Sequence, residues 1–264
     1  MMVESRPHEV GRPTTADELR AWRVSDELDT PGNSTKSKYI VLTEMRSGST
    51  LICDLLRRSG AGTPLEYLNP NYLADFLKRF GEPGRMQSLG HYLDRLYRIR
   101  TSPNGYFGMQ CVHRDVLKIG PAKAISDFLG TFDRIVLISR RDKLAQAISI
   151  MRAQQTGRWE SGLSARGDGH ETFDPILLSK IVKDIYERQA LVNSHLATVE
   201  RPLLSLEYEI IRDSLESEWR KVQLFLGLEP VSAESLESVL TRQSDETSDE
   251  YAQRYLDIIR GKGG

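Results

Sequence analysis

An α/β fold, with a parallel sheet covered by helices on both faces, is what this 264-residue sequence predicts from three observations. Four short apolar runs at 39–42, 106–112, 135–139 and 203–206 read as buried strands. Helical patterns separate them, and alternation of that kind implies strands that run parallel beneath helices. Two of the runs also end in matching Arg-bearing loops of the type that holds phosphate, about ninety residues apart. Two such loops on one sheet point to a ligand with phosphates at both ends.

The elements follow in order. Residues 1–37 are polar, and the stretch from Thr30 to Lys36 reads as a linker, so an N-terminal arm precedes a domain at 38–264. Thr15-Ala16-Asp17-Glu18 has the form of a capping start, which predicts a short helix within the arm. The arm is either disordered or packed on a partner subunit. After the first strand, Leu51, Ile52, Leu55 and Leu56 recur at helical spacing and Ser59-Gly60 closes the helix. Residues 71–100 read as helical, interrupted by Gly81-Glu82-Pro83-Gly84. Leu144, Ala147, Ile148 and Met151 mark the helix after the third strand. Residues 157–174 hold four glycines and many polar side chains, the pattern of a long functional or disordered loop. Asp174-Pro175 is an N-cap and first-turn pair for a helix to about residue 199, and a last helix over 215–226 stops at Gly227.

Composition excludes several classes. The 36 basic and 37 acidic side chains leave a net charge of −1, so any anion site is local, and nucleic acid is not an expected partner. No run reaches the roughly 18 apolar residues of a membrane span, and the N-terminus lacks the apolar core of a signal peptide. Two cysteines make no disulfide framework, and five scattered histidines have no metal spacing, so the expectation is a cytoplasmic chain without a metal.

In the first loop, Arg46-Ser47-Gly48-Ser49-Thr50 turns from a strand into a helix. Backbone N–H groups at a helix N-terminus favour anions; Gly48 permits close approach, the hydroxyls donate, and Arg46 adds a bidentate cation. The Walker Lys is absent, which weakens a kinase reading. An ordinary polar turn with Ser and Thr at a helix cap is the bland alternative. In the second loop, Ser149 follows Arg141 by eight residues, about 12 Å of helix, so the two converge only if the chain turns first and Arg141 reaches back. Arg140 is the adjacent candidate, and a surface Arg141-Asp142 pair at a helix start is the bland reading.

The stretch Arg46-Ser47-Gly48-Ser49-Thr50-Leu51 resembles the 5′-phosphosulfate loop of sulfotransferases that use 3′-phosphoadenosine-5′-phosphosulfate (PAPS). Gly62-Thr63-Pro64-Leu65-Glu66-Tyr67 is similar to the G-x-P-x-E-[FY] element of the bacterial trehalose 2-sulfotransferase family. Ala145 to Ser149, Gln155 to Trp159 and Arg242-Gln243-Ser244-Asp245-Glu246-Thr247 look like that family too, so the resemblance covers about 38–258. It implies a P-loop-like, adenylate-kinase-like fold that needs no metal. By the same resemblance Arg46, Ser47, Gly48, Ser49 and Thr50 hold the 5′-phosphate and sulfuryl group, Arg46 stabilises the leaving bridge oxygen, and Arg141 and Ser149 grip the 3′-phosphate. Arg242 closes over the nucleotide, and Glu66 is the general base for a hydroxyl of a carbohydrate or glycolipid acceptor, trehalose first. A homodimer is implied as well, with the N-terminal arm as a segment it could use.

One residue departs from the pattern. Where the family's F-G-x-K strand carries Lys, this chain has Phe107-Gly108-Met109-Gln110, a hydrogen-bond donor without charge. Gln110 keeps a non-catalytic nucleotide-binding module in play beside a P-loop-like kinase of a small metabolite, which would need ATP and Mg²⁺. His113-Arg114-Asp115 lacks the companions of a kinase catalytic loop, although His113 stays a second acid–base candidate. Arg166-Gly167-Asp168 has no adhesive role in an intracellular chain, and Tyr208-Glu209 reads as local packing. Trp159 either offers an aromatic face to a sugar or anchors the base of the long loop.

Overall fold

β1 (Ser37–Thr43), β2 (Tyr106–Val112), β3 (Arg134–Ser139) and β4 (Leu203–Glu207) form one sheet in the order β2-β1-β3-β4, with every neighbouring pair parallel. The structure is a computed structural model and describes residues 13, 15–159, 169–236 and 246–261. β1 is buried from Tyr39 to Thr43, and its side chains alternate between two cores. Ile40 and Leu42 join Phe76, Phe107 and Leu129 on one face; Tyr39 and Val41 join Ile52, Leu55 and Trp219 on the other. Burial on both faces is why β1 reads as an unbroken apolar run. Gly108 answers one local need: a Cβ there would run into the Tyr39 ring, whose hydroxyl donates to the Ala61 carbonyl at 2.8 Å.

The helices are α1 (Ala16–Val24), α2 (Ser49–Arg58), α3 (Pro70–Arg79), α4 (Leu89–Arg100), α5 (His113–Val116), α6 (Ala122–Gly130), α7 (Lys143–Thr156), α8 (Pro175–Leu196), α9 (Tyr208–Asp213), α10 (Leu215–Leu226) and α11 (Glu246–Ile259). The interruption expected at 81–84 separates α3 from α4, and α10 ends at Gly227 in the left-handed conformation. The Asp174 carboxylate accepts from the N–H of Ile176 and of Leu177 at the start of α8, with Pro175 in its first turn. The sequence reading named no helix at α5, α6, α9 or α11.

Part of the expected arm lies on the domain. Thr15 and Glu18 form the capping box that starts α1. On α3, Asp75 accepts from Arg20 Nε at 2.6 Å and the Tyr72 hydroxyl from Arg23 at 2.7 Å. Val24 enters the core beside Phe76. Arg100, fully buried, pairs with Asp29 at 3.1 Å and donates to the Ser25 carbonyl at 2.9 Å.

β1 sits between β2 and β3, so chain leaving β1 turns to one side for β2 and later returns on the other for β3. Ligands of open α/β sheets bind beyond the carboxyl ends of the strands at such a switch point. Thr43 pairs with Val112 and with Ile138 in register, so the loops after β1, β2 and β3 meet there.

Candidate active site

The loop leaving β1 turns through two left-handed residues, Arg46 at φ 60° and Gly48 at φ 79°. Arg46 is the one non-glycine with positive φ among the described residues, a conformation that costs on the order of 1–3 kcal/mol and persists when its surroundings over-determine it. Those surroundings are visible. The buried Glu44 carboxylate accepts from the Met45 N–H at 3.1 Å and from Arg188 Nε of α8 at 2.7 Å. Gln146 of α7 donates to the Met45 carbonyl at 2.7 Å, and Arg140 to the Arg46 carbonyl at 3.3 Å. Ser47 is fully buried and its hydroxyl pairs with that of Thr43. Among the described residues no side chain caps α2, whose first N–H groups follow Gly48, so the turn presents backbone donors at a positive helix end. Gly48 is required: a Cβ would lie 2.6 Å from the Tyr208 ring.

Facing this loop is the segment with Glu66. Leu65 bridges to Met109 of β2, and the Gln110 N–H donates to the Leu65 carbonyl at 3.0 Å, so the strand edge sets the height of Glu66. Asn69 Nδ2 donates to Glu66 Oε2 at 3.0 Å. Gln110 Nε2 donates both to Glu66 Oε1 at 3.2 Å and to Ser49 Oγ at 3.0 Å. A carboxylate and a hydroxyl of the anion loop therefore meet at one nitrogen, which gives the site a proton acceptor beside a cradle of donors.

At the end of β3 the arrangement differs. The Arg141 side chain is 69% exposed and pairs with Glu207, the last residue of β4. Glu209 accepts from the N–H groups of Arg141 and Asp142, both at 3.0 Å. Burial raises the proton affinity of Glu209, but those two backbone donors, its own N–H and the nearby Arg140 together outweigh it and hold the carboxylate below its usual range. Arg140 lies over the Tyr208 ring at 4.7 Å. Lys143 is pushed below its ordinary value, first by burial and also by Arg140.

The sequence-predicted residues fall as follows. Arg46, Ser47, Gly48, Ser49 and Thr50 form one turn, with Thr50 exposed. Glu66 stands beside it through Gln110. Ser149 accepts from Arg46 Nε at 2.8 Å, whereas Arg141 points to Glu207. The Trp159 carbonyl accepts from Arg46 Nη1 at 2.7 Å while its side chain is 41% exposed, which is no core anchor. Arg242 and Arg166-Gly167-Asp168 lie outside the described residues. His113 is buried and its ring nitrogens make no hydrogen bond among the described residues. Burial, then the cations Arg188 and Lys143, lower it to about 4, so it is neutral near pH 7. Among the described residues, no group of three or more His, Cys, Asp or Glu is placed to hold a metal, and no helix is long and apolar enough to cross a membrane.

Sequence reasoning missed the floor made by Glu44, Arg188 and Gln146, and the wall made by Glu207, Tyr208 and Glu209. Tyr208-Glu209 carried a signal, since a carboxylate just past a strand end is placed to cap a neighbouring loop. Glu44 carried another, as a charged residue in the turn leaving a buried strand.

The family model described as Stf0 sulphotransferase matches residues 38–257. The trehalose 2-sulfotransferases of Mycobacterium tuberculosis (strain Erdman) and Mycolicibacterium smegmatis are each 25% identical to this chain, over 82% of it and 93% of their own length. A solved mouse sulfotransferase complexed with PAP overlaps 92% of this chain and 70% of its own at 13% identity and a TM-score of 0.45, too loose a likeness to bear on individual residues.

Proposed function

Since this chain belongs to the Stf0 sulphotransferase family and is a sulfuryl-transfer enzyme of P-loop-like α/β fold, we propose that its donor is PAPS and its acceptor a hydroxyl of a carbohydrate or glycolipid precursor, with trehalose the first to try. The observation that carries this reading is the meeting of Glu66 and Ser49 at Gln110 Nε2, which sets a base beside a donor-lined turn. The turn suits a phosphosulfate: its N-cap is Gly48, which makes no side-chain cap at the start of α2, and Ser49 and Thr50 bring hydroxyls.

In this scheme Glu66 accepts the proton of the acceptor hydroxyl as that oxygen attacks sulfur. The bond from sulfur to the bridging oxygen breaks, and 3′-phosphoadenosine-5′-phosphate (PAP) departs with the electron pair. Arg46 and the N–H groups opening α2 stabilise the charge gathering on the 5′-phosphate. Such a loose transfer depends on positioning and on charge, not on covalent catalysis. Arg141 and Ser149 are assigned to the 3′-phosphate, and Arg242 to closing over the nucleotide. Arg141 would exchange Glu207 for the ligand, and Ser149 would exchange Arg46. The dimeric state, with residues 1–37 as an arm beside the domain, and a place in the reducing cytoplasm belong to the same reading; the free thiols of Cys53 and Cys111 suit such a compartment.

Calorimetric titration of the full chain with PAP and with ATP–Mg²⁺, on wild type and Arg141→Ala, is the test. The expected result is binding of PAP that weakens about ten-fold or more in the variant, the size of a lost charge-assisted contact. Preference for ATP–Mg²⁺, or binding of neither, would overturn the donor assignment.

A further inference from the structure

Gln110 carries more than its place in β2 requires. It is 7% exposed, and its backbone N–H holds the segment of Glu66 through the Leu65 carbonyl. Its side chain then uses one nitrogen on two acceptors, Ser49 Oγ at 3.0 Å and Glu66 Oε1 at 3.2 Å. An ionised carboxylate only accepts, so the amide nitrogen must face Glu66. Ser49 Oγ accepts from the same nitrogen, so its own proton is left to donate elsewhere, and Ser49 is the first residue of α2. Asn69 Nδ2 donates to the other carboxylate oxygen, so donors on both oxygens fix the plane of the carboxylate.

The second property is charge. A Lys at this position would hold the same two acceptors but would set a cation against the carboxylate, lowering its proton affinity by about 1–3 pH units. An amide orients the carboxylate without that loss. It also serves both protonation states: it donates to a carboxylate and, turned over, accepts from a carboxylic acid, which an ammonium group cannot do. Among the titratable neighbours of Glu66 are the thiols Cys53 on α2 and Cys111 on β2, both pushed up by burial and so neutral across the working range.

We propose that Gln110 is a positioning residue that aims Glu66 and the Ser49 hydroxyl at one sulfuryl group while leaving Glu66 a stronger base than a lysine in its place would. This deepens the reading above and rests on Glu66 being the base. The test has one readout that needs no turnover, the carboxyl ¹³C titration of Glu66, assigned by its loss in Glu66→Gln. The titration midpoint is expected to fall by about one pH unit or more in Gln110→Lys. In the PAPS-to-trehalose assay, Gln110→Met, of similar size, is expected to lose about ten-fold or more in kcat. Its PAP affinity is expected to stay near wild type. Gln110→Lys is expected to keep its rate at high pH and to move the acid limb of kcat/KM with the titration. A Glu66 midpoint in Gln110→Lys identical to wild type would overturn the proposal whether or not Gln110→Met folds. Full turnover in Gln110→Met with Glu66→Gln inactive would overturn it too. Full turnover in Glu66→Gln would instead overturn the assignment of the base, and this proposal with it.

Discussion

The loop leaving β1 and the loop leaving β3 both carry Arg beside a helix start, yet they are held in different ways. Around the first, Glu44, Arg188 and Gln146 are internal, Ser47 is fully buried, and the left-handed turn is secured from below by α7 and α8. At the second, the Arg141 guanidinium stands mostly in water against Glu207, and the ordered part is the backbone capped by Glu209. The first loop is preorganised, as a place where charge develops should be, because donors already aimed need no reorganisation during the reaction. In the proposed scheme the second is a grip whose Arg141 leaves Glu207 for the ligand. On the proposed reading, the first loop governs rate and the second governs affinity.

Three experiments press on the comparison. The largest effect is expected from Arg46→Ala, which removes charge from the preorganised loop: kcat should fall by about 10²–10³, with affinity for PAPS, in which that charge has not yet developed, changed much less. Steady-state kinetics set beside calorimetry reads both, and a variant that lost affinity but kept kcat would erase the distinction. Next comes the floor of the same loop. His113, 3.8 Å from Glu44 and near Arg188 and Lys143, is held at about 4 by burial first, against about 6.5 in the unfolded chain. Between those values the unfolded chain binds the extra proton, so this contribution is fully present above about pH 6.5 and is lost as pH falls to about 4. It amounts to about 3 kcal/mol, and urea unfolding from pH 4 to 7 should show that slope in wild type and a flatter one in His113→Gln. Equal slopes would mean His113 is not held neutral. The smallest effect belongs to the second loop. Glu207→Gln frees Arg141 from an exposed pair and should tighten PAP binding about two- to five-fold. Weaker binding would show that Glu207 supports the grip instead of competing for it.

What could be read from the chain followed range of interaction. The strands and the helices α2, α4, α7, α8 and α10 announce themselves through period, caps and glycine stops, all signals within one or two turns. The short α5 and α9 begin directly at strand ends and lack room for a period to show. The turn from Arg46 to Thr50 is legible because its chemistry lies in five consecutive residues. The contact of Ser149 with Arg46 is not, for it spans 103 positions and exists only because β3 lies beside β1. The wall of Glu207, Tyr208 and Glu209 likewise needs β4 placed beside β3.

Gln110 divides the same way. Its identity, an uncharged hydrogen-bond donor, stands in the sequence. That one nitrogen joins Ser49, 61 positions back, to Glu66, 44 positions back, follows from the Leu65–Met109 bridge and the β1–β2 register. The sequence by itself determined the α/β class, the anion turn and the two Arg-bearing loops, because local backbone preference and apolar period act between near neighbours. The tertiary structure decided which side chains share one amide donor, which arginine is tied across to α7 and which waits in solvent, because those depend on strand order and register that no local pattern encodes.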